Sequence, residues 1–407
     1  MKYRRLALIV LASACIILRA QDDDDRNHKP PTEIPDFSNL DEYIYEPKSA
    51  VQLSFRHLGG AKTSFFGKGS ILAPEAALPG DGPNLKRVYH DGEVDPDQRT
   101  APVFDSAGNP VLDPVNKNPI SEPVPPDGKT NIWKYSDNRQ VNNNGENPSV
   151  PVGYIAFHSY SADVFTEKDQ QQNGKSTSGL DLAVSHDMGK LFKGRLSWNL
   201  IAGLSVNDIE AKASGPVGST VHIRTDYYST FGQLVPVAPY DSSTADPATL
   251  IANQPGYTDP STLSAKNAVM NTWKLKGAYY TFRVGPVITI PIGAKFHVDI
   301  SAGPILVYAG TTYRVTSTFD PQSIEIGGTG ELITEADSRA AYKFRTGLYA
   351  DASLAYDLTD KTAFFAGAVW QTAQGYTQQV NSNTAAYAAK IDLANENGLR
   401  AGMSVRF

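Results

Sequence analysis

"GLRAGMSVRF", residues 398–407, alternates without a break. Leu399, Ala401, Met403, Val405 and Phe407 are apolar, and Gly398, Arg400, Gly402, Ser404 and Arg406 between them are small or polar. In an extended chain successive side chains point to opposite faces, so this spacing makes a strand with one greasy side and one polar side. The same period recurs upstream. In "RLSWNLIAGLSVN" (195–207) Leu196, Trp198, Leu200, Ala202, Leu204 and Val206 share one parity. "YYTFRVGPVITI" (279–290), "KFHVDISAGPIL" (295–306) and "KFRTGLYADASLAY" (343–356) repeat it, with Phe282, Ile300 and Leu354 on the apolar side. The opposite sides carry charge, at Arg283, Asp299, Arg345, Asp351 and Arg400. A soluble strand hides its apolar face; here the hidden face would have to hold ions.

Composition narrows the setting. The 407 residues are 41% hydrophobic, with one long apolar run, "LALIVLASACIIL" (6–18). That run follows Lys2, Arg4 and Arg5 and precedes an acidic stretch, which fits a secretory signal over 1–20 with cleavage near Ala20. At about 13 residues it is short of the ~20 that cross a bilayer as a helix. "ASAC" also resembles a lipoprotein cleavage site, although Leu is missing from its usual place. Cys15 is the only cysteine, so a chain starting near Gln21 is expected to fold without disulfides. Loss of residues 1–20 would lower the 37 basic groups to 33 against 43 acidic ones, a charge of -10, which disfavours nucleic-acid binding.

Residues 21–49 are acidic and Pro-containing and read as a flexible periplasmic tail. Residues 50–407 form the remaining domain, with insertions at 67–150 and 208–271. The first insertion is rich in Gly, Pro, Asn and Asp and reads as long loop with one or two hairpins. Strand periodicity marks 179–188, 195–207, 278–290, 295–309, 342–356, 362–372 and 397–407. Their connections at 188–194, 291–295 and 357–361 are short, whereas those at 208–271, 319–341 and 372–395 are long. Short and long connections in alternation describe an up-and-down meander with tight turns on one side. Closure needs an even count; 50–66 supplies an eighth strand, and 153–164 is a rival that could instead pair with 131–141 outside the meander. Ten strands is the alternative count.

In hydrocarbon an unpaired backbone N–H or C=O costs several kcal/mol, so a sheet can span only if it closes on itself. Closure in lipid makes the outside greasy and the inside polar, which is the pattern of these strands. The fold expected is therefore an all-β, closed, antiparallel transmembrane barrel with long extracellular loops. The leader, the cysteine-free remainder, the amphipathic strands and a final strand ending in Phe407 resemble the Gram-negative outer-membrane β-barrel family, of the small OmpA/OmpW-like kind. That resemblance covers roughly residues 179–407. It implies a place in the outer membrane, contact with its lipid, and a barrel-assembly machinery that reads Leu399, Ala401, Met403, Val405 and Phe407.

An eight-stranded interior is just wide enough to be filled by side chains. Asp181, Asp299 and Asp351 against Arg283, Arg345 and Arg400 make a balanced inward set, expected to be a charge-paired plug rather than a pore. Trp198, Tyr280, Tyr308, Tyr356 and Trp370 are candidates for the interfacial aromatic belts. Asp91, Glu93, Asp95 and Asp97 stand at every second position and form a weak calcium candidate; a solvated acidic hairpin is the plainer reading. No catalytic motif is present, and the His297–Asp299 pair reads as an interior hydrogen bond. No cofactor is implied. The function expected is structural or surface-binding, carried by the loops toward an unidentified extracellular ligand. A small-solute channel, a barrel-embedded enzyme and a secreted soluble all-β protein are the competing readings.

Overall fold

The computed structural model describes residues 48–72, 82–83, 85–145, 147–166, 169–173, 176–193, 195–245, 247–324, 329–382 and 384–407. The leader over 1–20 and nearly all of the 21–49 tail lie outside the described residues. In chain order the strands are β1 (Ser49–Leu58), β2 (Lys62–Ile71), β3 (Arg87–Tyr89), β4 (Gly92–Val94), β5 (Thr100–Pro102), β6 (Ser121–Pro123), β7 (Lys129–Thr130) and β8 (Trp133–Tyr135). Then come β9 (Tyr154–Phe165), β10 (Gln170–Asn173), β11 (Thr177–Leu191), β12 (Leu196–Ser229), β13 (Tyr240–Asp241), β14 (Ile251–Ala252) and β15 (Tyr257–Pro291). Last are β16 (Phe296–Phe319), β17 (Ile333–Asp357), β18 (Thr362–Ala373), β19 (Tyr376–Asn381), β20 (Ala385–Asp392) and β21 (Glu396–Arg406).

Thirteen of these strands belong to one antiparallel sheet. Within it the pairings run β1–β11–β12–β15–β16–β17–β18–β21 and return to β1. Tight connections close the lower end, as in 291–295, where the Ile292 N–H donates to the Phe296 carbonyl. At the turn into β12 the ladder is bulged between Asp187 and Gly189, and Gly189 takes φ +114°, a backbone region open to glycine.

The long connections are not loops for most of their length. β12 runs to Ser229, β15 starts at Tyr257, and β16 and β17 stay paired as far as Phe319 and Ile333. The expected 208–271, 319–341 and 372–395 loops are corrected accordingly. Beyond Asn207, β12 leaves β11; from Gly218 it pairs with β9, which continues through β2 and β20 to β19. The single strand expected over 50–66 is two strands: the chain breaks at Gly59–Ala61, with β1 in the ring and β2 in this upper layer. The rival stretch 153–164 is β9, but its expected hairpin with 131–141 does not form. β8 pairs with β4 and β13 instead, and only Val141 bridges to Ile155.

The reason is an inversion of polarity along the same strands. In the ring Leu200, Phe282, Ile300 and Leu354 point outward and are 41–50% exposed, whereas Asp181, Arg283, Asp351 and Arg400 point inward and are at most 5% exposed. Above the cross-strand row Val206–Tyr280–Tyr308–Phe344 the faces swap. Ile209, Ala211, Leu275, Trp273, Tyr313 and Val315 now point inward and are buried, and Lys212, Lys274 and Arg314 stand outside. Alternation continues, but a search for outward apolar stripes loses it at this row.

The insertion at 67–150, joined by β13 from the 208–271 stretch, builds a small sheet, β13–β8–β4–β3, over a core containing Trp133, Tyr135, Phe157 and Tyr228. From it an exposed arm over 99–127 projects, built on a tandem repeat, "VFDSAGNPV" (103–111) and "VLDPVNKNPI" (111–120). Each Asp of the repeat accepts two backbone N–H groups of its own turn: Asp105 from Ala107 and Asn109, Asp113 from Val115 and Asn116.

Candidate functional site

Inside the ring the inward polar residues of seven strands converge. Asp181 accepts a hydrogen bond from Arg283 Nη2 at 2.8 Å and from Ser54 Oγ at 3.2 Å. Arg400 Nη2 donates to Asp351 at 2.6 Å, and its Nη1 lies 3.7 Å from Asp181. Arg56 donates to Ser205 and, at 2.9 Å, to Gln371, which in turn donates to Glu396. Three guanidinium groups thus face three carboxyl groups in a space too narrow for bulk water. A buried ion costs several kcal/mol to desolvate, so such groups persist only when paired. Rings flank the cations: Arg283 lies 5.7 Å from the Tyr349 centroid and Arg400 lies 5.0 Å from that of Phe365.

The network is capped on both sides by apolar packing. Below it sit Ala183, Ile201 and Val287. Above it Tyr279 and Tyr349 join a large buried cluster with Phe65, Trp273, Tyr313 and Tyr387. Phe65 stacks against Trp273 and Tyr313 with centroids 6.2 and 5.8 Å apart. The axis of the molecule is therefore ionic in the ring and aromatic above it.

Of the six inward charges singled out in the sequence, the structure gathers four: Asp181, Arg283, Asp351 and Arg400. Asp299 is corrected to the lower rim, where it accepts from Thr289 at 2.6 Å and lies 3.6 Å from His297. His297 also reaches Asp357 at 3.2 Å, so the expected pair is a rim cluster that includes Arg406. Arg345 is corrected to the upper layer, donating to the Gly375 and Phe344 carbonyls beside the Tyr376 ring. Arg56 and Glu396 escape the sequence reading, although both occupy the polar parity of their strands.

The aromatic candidates fall into two outward groups. Tyr280 and Tyr308 pack at 6.2 Å and are joined by Phe344 and Tyr342, while Tyr356 packs on Phe296 at 5.0 Å. Trp198 is opposite Ile288, and Trp370 is opposite Ala350 and Asn397. Leu399, Met403, Val405 and Phe407 are exposed on the outer face of β21, and Ala401 shares their parity.

The four-carboxylate calcium candidate is overturned. Glu93 sits between Lys86 and Lys134, Asp95 bonds to Lys86, and Asp97 to Arg99. Burial would raise the Glu93 carboxyl, but Lys134 and Lys86 outweigh it and hold it below the usual range. Among the described residues no cluster of three His, Cys, Asp or Glu side chains could hold a metal. Asp91 turns the other way: it is buried, accepts from the His158 ring at 2.6 Å and from its N–H at 2.8 Å, and binds the Thr329 hydroxyl. Beside it Tyr160 N–H donates to His90 Nδ1 at 3.0 Å. Burial, partly opposed by Asp91, lowers the His90 pKa to about 4. These contacts tie the β3–β4 hairpin, β9 and the segment before β17 together.

No family model and no curated protein matches the sequence. Among solved structures the chain is similar to the outer-membrane protease OmpT from Escherichia coli, at 9% identity and TM-score 0.26 over 88% of this chain and 97% of that one. It is also similar to a Pseudomonas aeruginosa FadL homologue, at 9% identity and TM-score 0.15 over 88% of this chain and 90% of that one. Neither likeness bears on the residues described above.

Proposed function

We propose that the eight-strand ring is a closed barrel spanning an outer membrane, that its lumen is sealed, and that the protein serves a structural or surface-binding role through the part standing above the membrane. The observation that carries this is the polarity inversion at the Val206–Tyr280–Tyr308–Phe344 row. Apolar side chains outside and ions inside suit lipid; the reverse arrangement in the next turn of the same strands suits water. From the Phe296–Tyr356 pair to the Tyr308–Phe344 pair is twelve residues. That is about 40 Å along a strand and, at the usual barrel tilt, about 30 Å along the axis, the thickness of a hydrocarbon core.

The arginine–carboxylate network and the aromatic packing above it support a binding role over conduction. In planar bilayers the refolded protein is expected to give no step currents, and regular steps of fixed size would overturn the sealed lumen. Unboiled and boiled samples should migrate differently in SDS gels; equal migration would overturn the closed barrel.

A further inference from the structure

In the upper layer β2 lies between β9 and β20, and a cavity of about 400 Å³ opens to water over these three strands. Lys68 is opposite Phe165 and Ser70 is opposite Asp163, so the four side chains share one face. Ala386, opposite Lys68 on β20, leaves the third strand without bulk there. The polarity inversion puts polar side chains outward in this layer, yet Phe165 is 44% exposed beside the exposed Asp163. Its ring therefore stands free at the rim of a polar cavity.

Asp163 is held from both sides. Ser70 Oγ donates to Oδ1 at 2.7 Å, and His222 Nε2 lies 3.2 Å from Oδ2. Thr262 Oγ1 lies 3.4 Å from Nδ1 of the same histidine and orients its ring. Ser70, and after it His222, keep the Asp163 carboxyl below its usual range. Each oxygen of a carboxylate can accept two hydrogen bonds. One site on each is filled from within the chain, which leaves one on each for a ligand.

We propose that this cavity binds a neutral hexopyranose, whose neighbouring hydroxyls donate to the two oxygens of Asp163 while its C–H face lies on Phe165. The inference deepens the surface-binding reading above and rests on it. Residues two apart on a strand stand ~7 Å from each other, so one sugar ring reaches both the carboxylate and the aromatic face. Lys68, on the same face, offers three further donors to hydroxyl or ring oxygens. A few placed polar groups beside an apolar surface are what orient a small ligand. The carboxylate repels phosphates and acidic sugars. Over the cavity β2 is paired on both sides, so no free backbone edge is offered to a peptide strand.

The test uses the refolded full chain in phosphatidylcholine nanodiscs, free of sugar-headed detergents that would occupy the cavity. Saturation-transfer NMR and calorimetric titration read the binding of methyl glucoside, methyl galactoside and methyl mannoside, with glucuronate and the open-chain polyol sorbitol as controls. At least one neutral glycoside is expected to bind, and neither control. Asp163→Asn and Phe165→Ala should each weaken that binding by roughly tenfold, the loss expected when one hydrogen bond to a charged group is removed. Lys361→Gln, at the lower rim, should leave it unchanged, and heat-dependent migration in SDS gels checks that each variant is folded. Absence of binding by the wild type, equal binding of glucuronate, or full binding by either cavity variant would overturn the proposal. A wild type that binds a glycoside but does not float with phosphatidylcholine vesicles would instead overturn the membrane-spanning reading.

Discussion

Removing the carboxylate of Asp181 tests the ionic core. Asp181 holds Arg283 at 2.8 Å and Ser54 at 3.2 Å and lies 3.7 Å from Arg400 Nη1, all within the buried interior. Asp181→Ala leaves Arg283, itself 5% exposed, without its carboxylate. Breaking one side of a buried pair costs about 3–5 kcal/mol, a factor of roughly 10²–10⁴ in the folded-to-unfolded ratio. Asp181→Asn retains an acceptor oxygen of the same shape, and a hydrogen bond to a charged group contributes about 1.5–3 kcal/mol. Its cost should therefore be smaller, about 2 kcal/mol. Asp181→Leu/Arg283→Met removes both charges, and replacing a buried pair by packed apolar groups is close to neutral. The assay is reversible urea unfolding in detergent micelles, followed by the fluorescence of the four tryptophans. If Asp181→Ala unfolds within 0.5 kcal/mol of the wild type, or if the double variant is as unstable as the single, the lumen is wet and the pairing argument fails. Even the double variant should give no currents, because the aromatic cluster above remains.

The polarity inversion predicts opposite tolerance on one face. Ile300→Arg, at mid-wall, should cost about 2–4 kcal/mol in bilayers, while Ala340→Arg, outward but above the aromatic row, should stay within about 0.5 kcal/mol. The histidine beside Asp91 predicts a pH window. His90 binds its proton at about pH 4 folded against 6.5 unfolded, so the unfolded state takes up the proton first as pH falls. The stability it contributes is present above pH 6.5 and lost on descent to pH 4, about 2–3 kcal/mol. The hydrogen-exchange protection factor of the Tyr160 amide should fall over that window, and His90→Gln should flatten the dependence; an unchanged profile would refute it. Arg99 bonds Asp97 and Asp127 at the base of the exposed arm. Arg99→Ala should speed proteolysis within 103–120 without moving the global unfolding midpoint, and equal cleavage would show that the arm holds itself.

Much of this was legible in the chain. Period-two alternation needs no tertiary information, because it follows from backbone pleat, and it marked the segments that carry Leu200, Phe282, Ile300, Leu354 and the outer face of β21. Parity also identified Asp181, Arg283, Asp351 and Arg400 as sharing an interior. What the sequence could not decide was where each strand stops and which partner it takes. β12 continues 22 residues past Asn207 because hydrogen bonding to β15 goes on while the outward side chains change from apolar to polar. That change reverses which parity is apolar, so no single hydrophobic stripe runs the length of the strand. Asp299 and Arg345 illustrate the same limit: parity gives the face, but only strand tilt and register give the height, and height places one at the rim and the other in the upper layer. Arg56 enters the ionic network solely because closure sets β1 against both β11 and β21, a contact between residues hundreds of positions apart that no local pattern encodes.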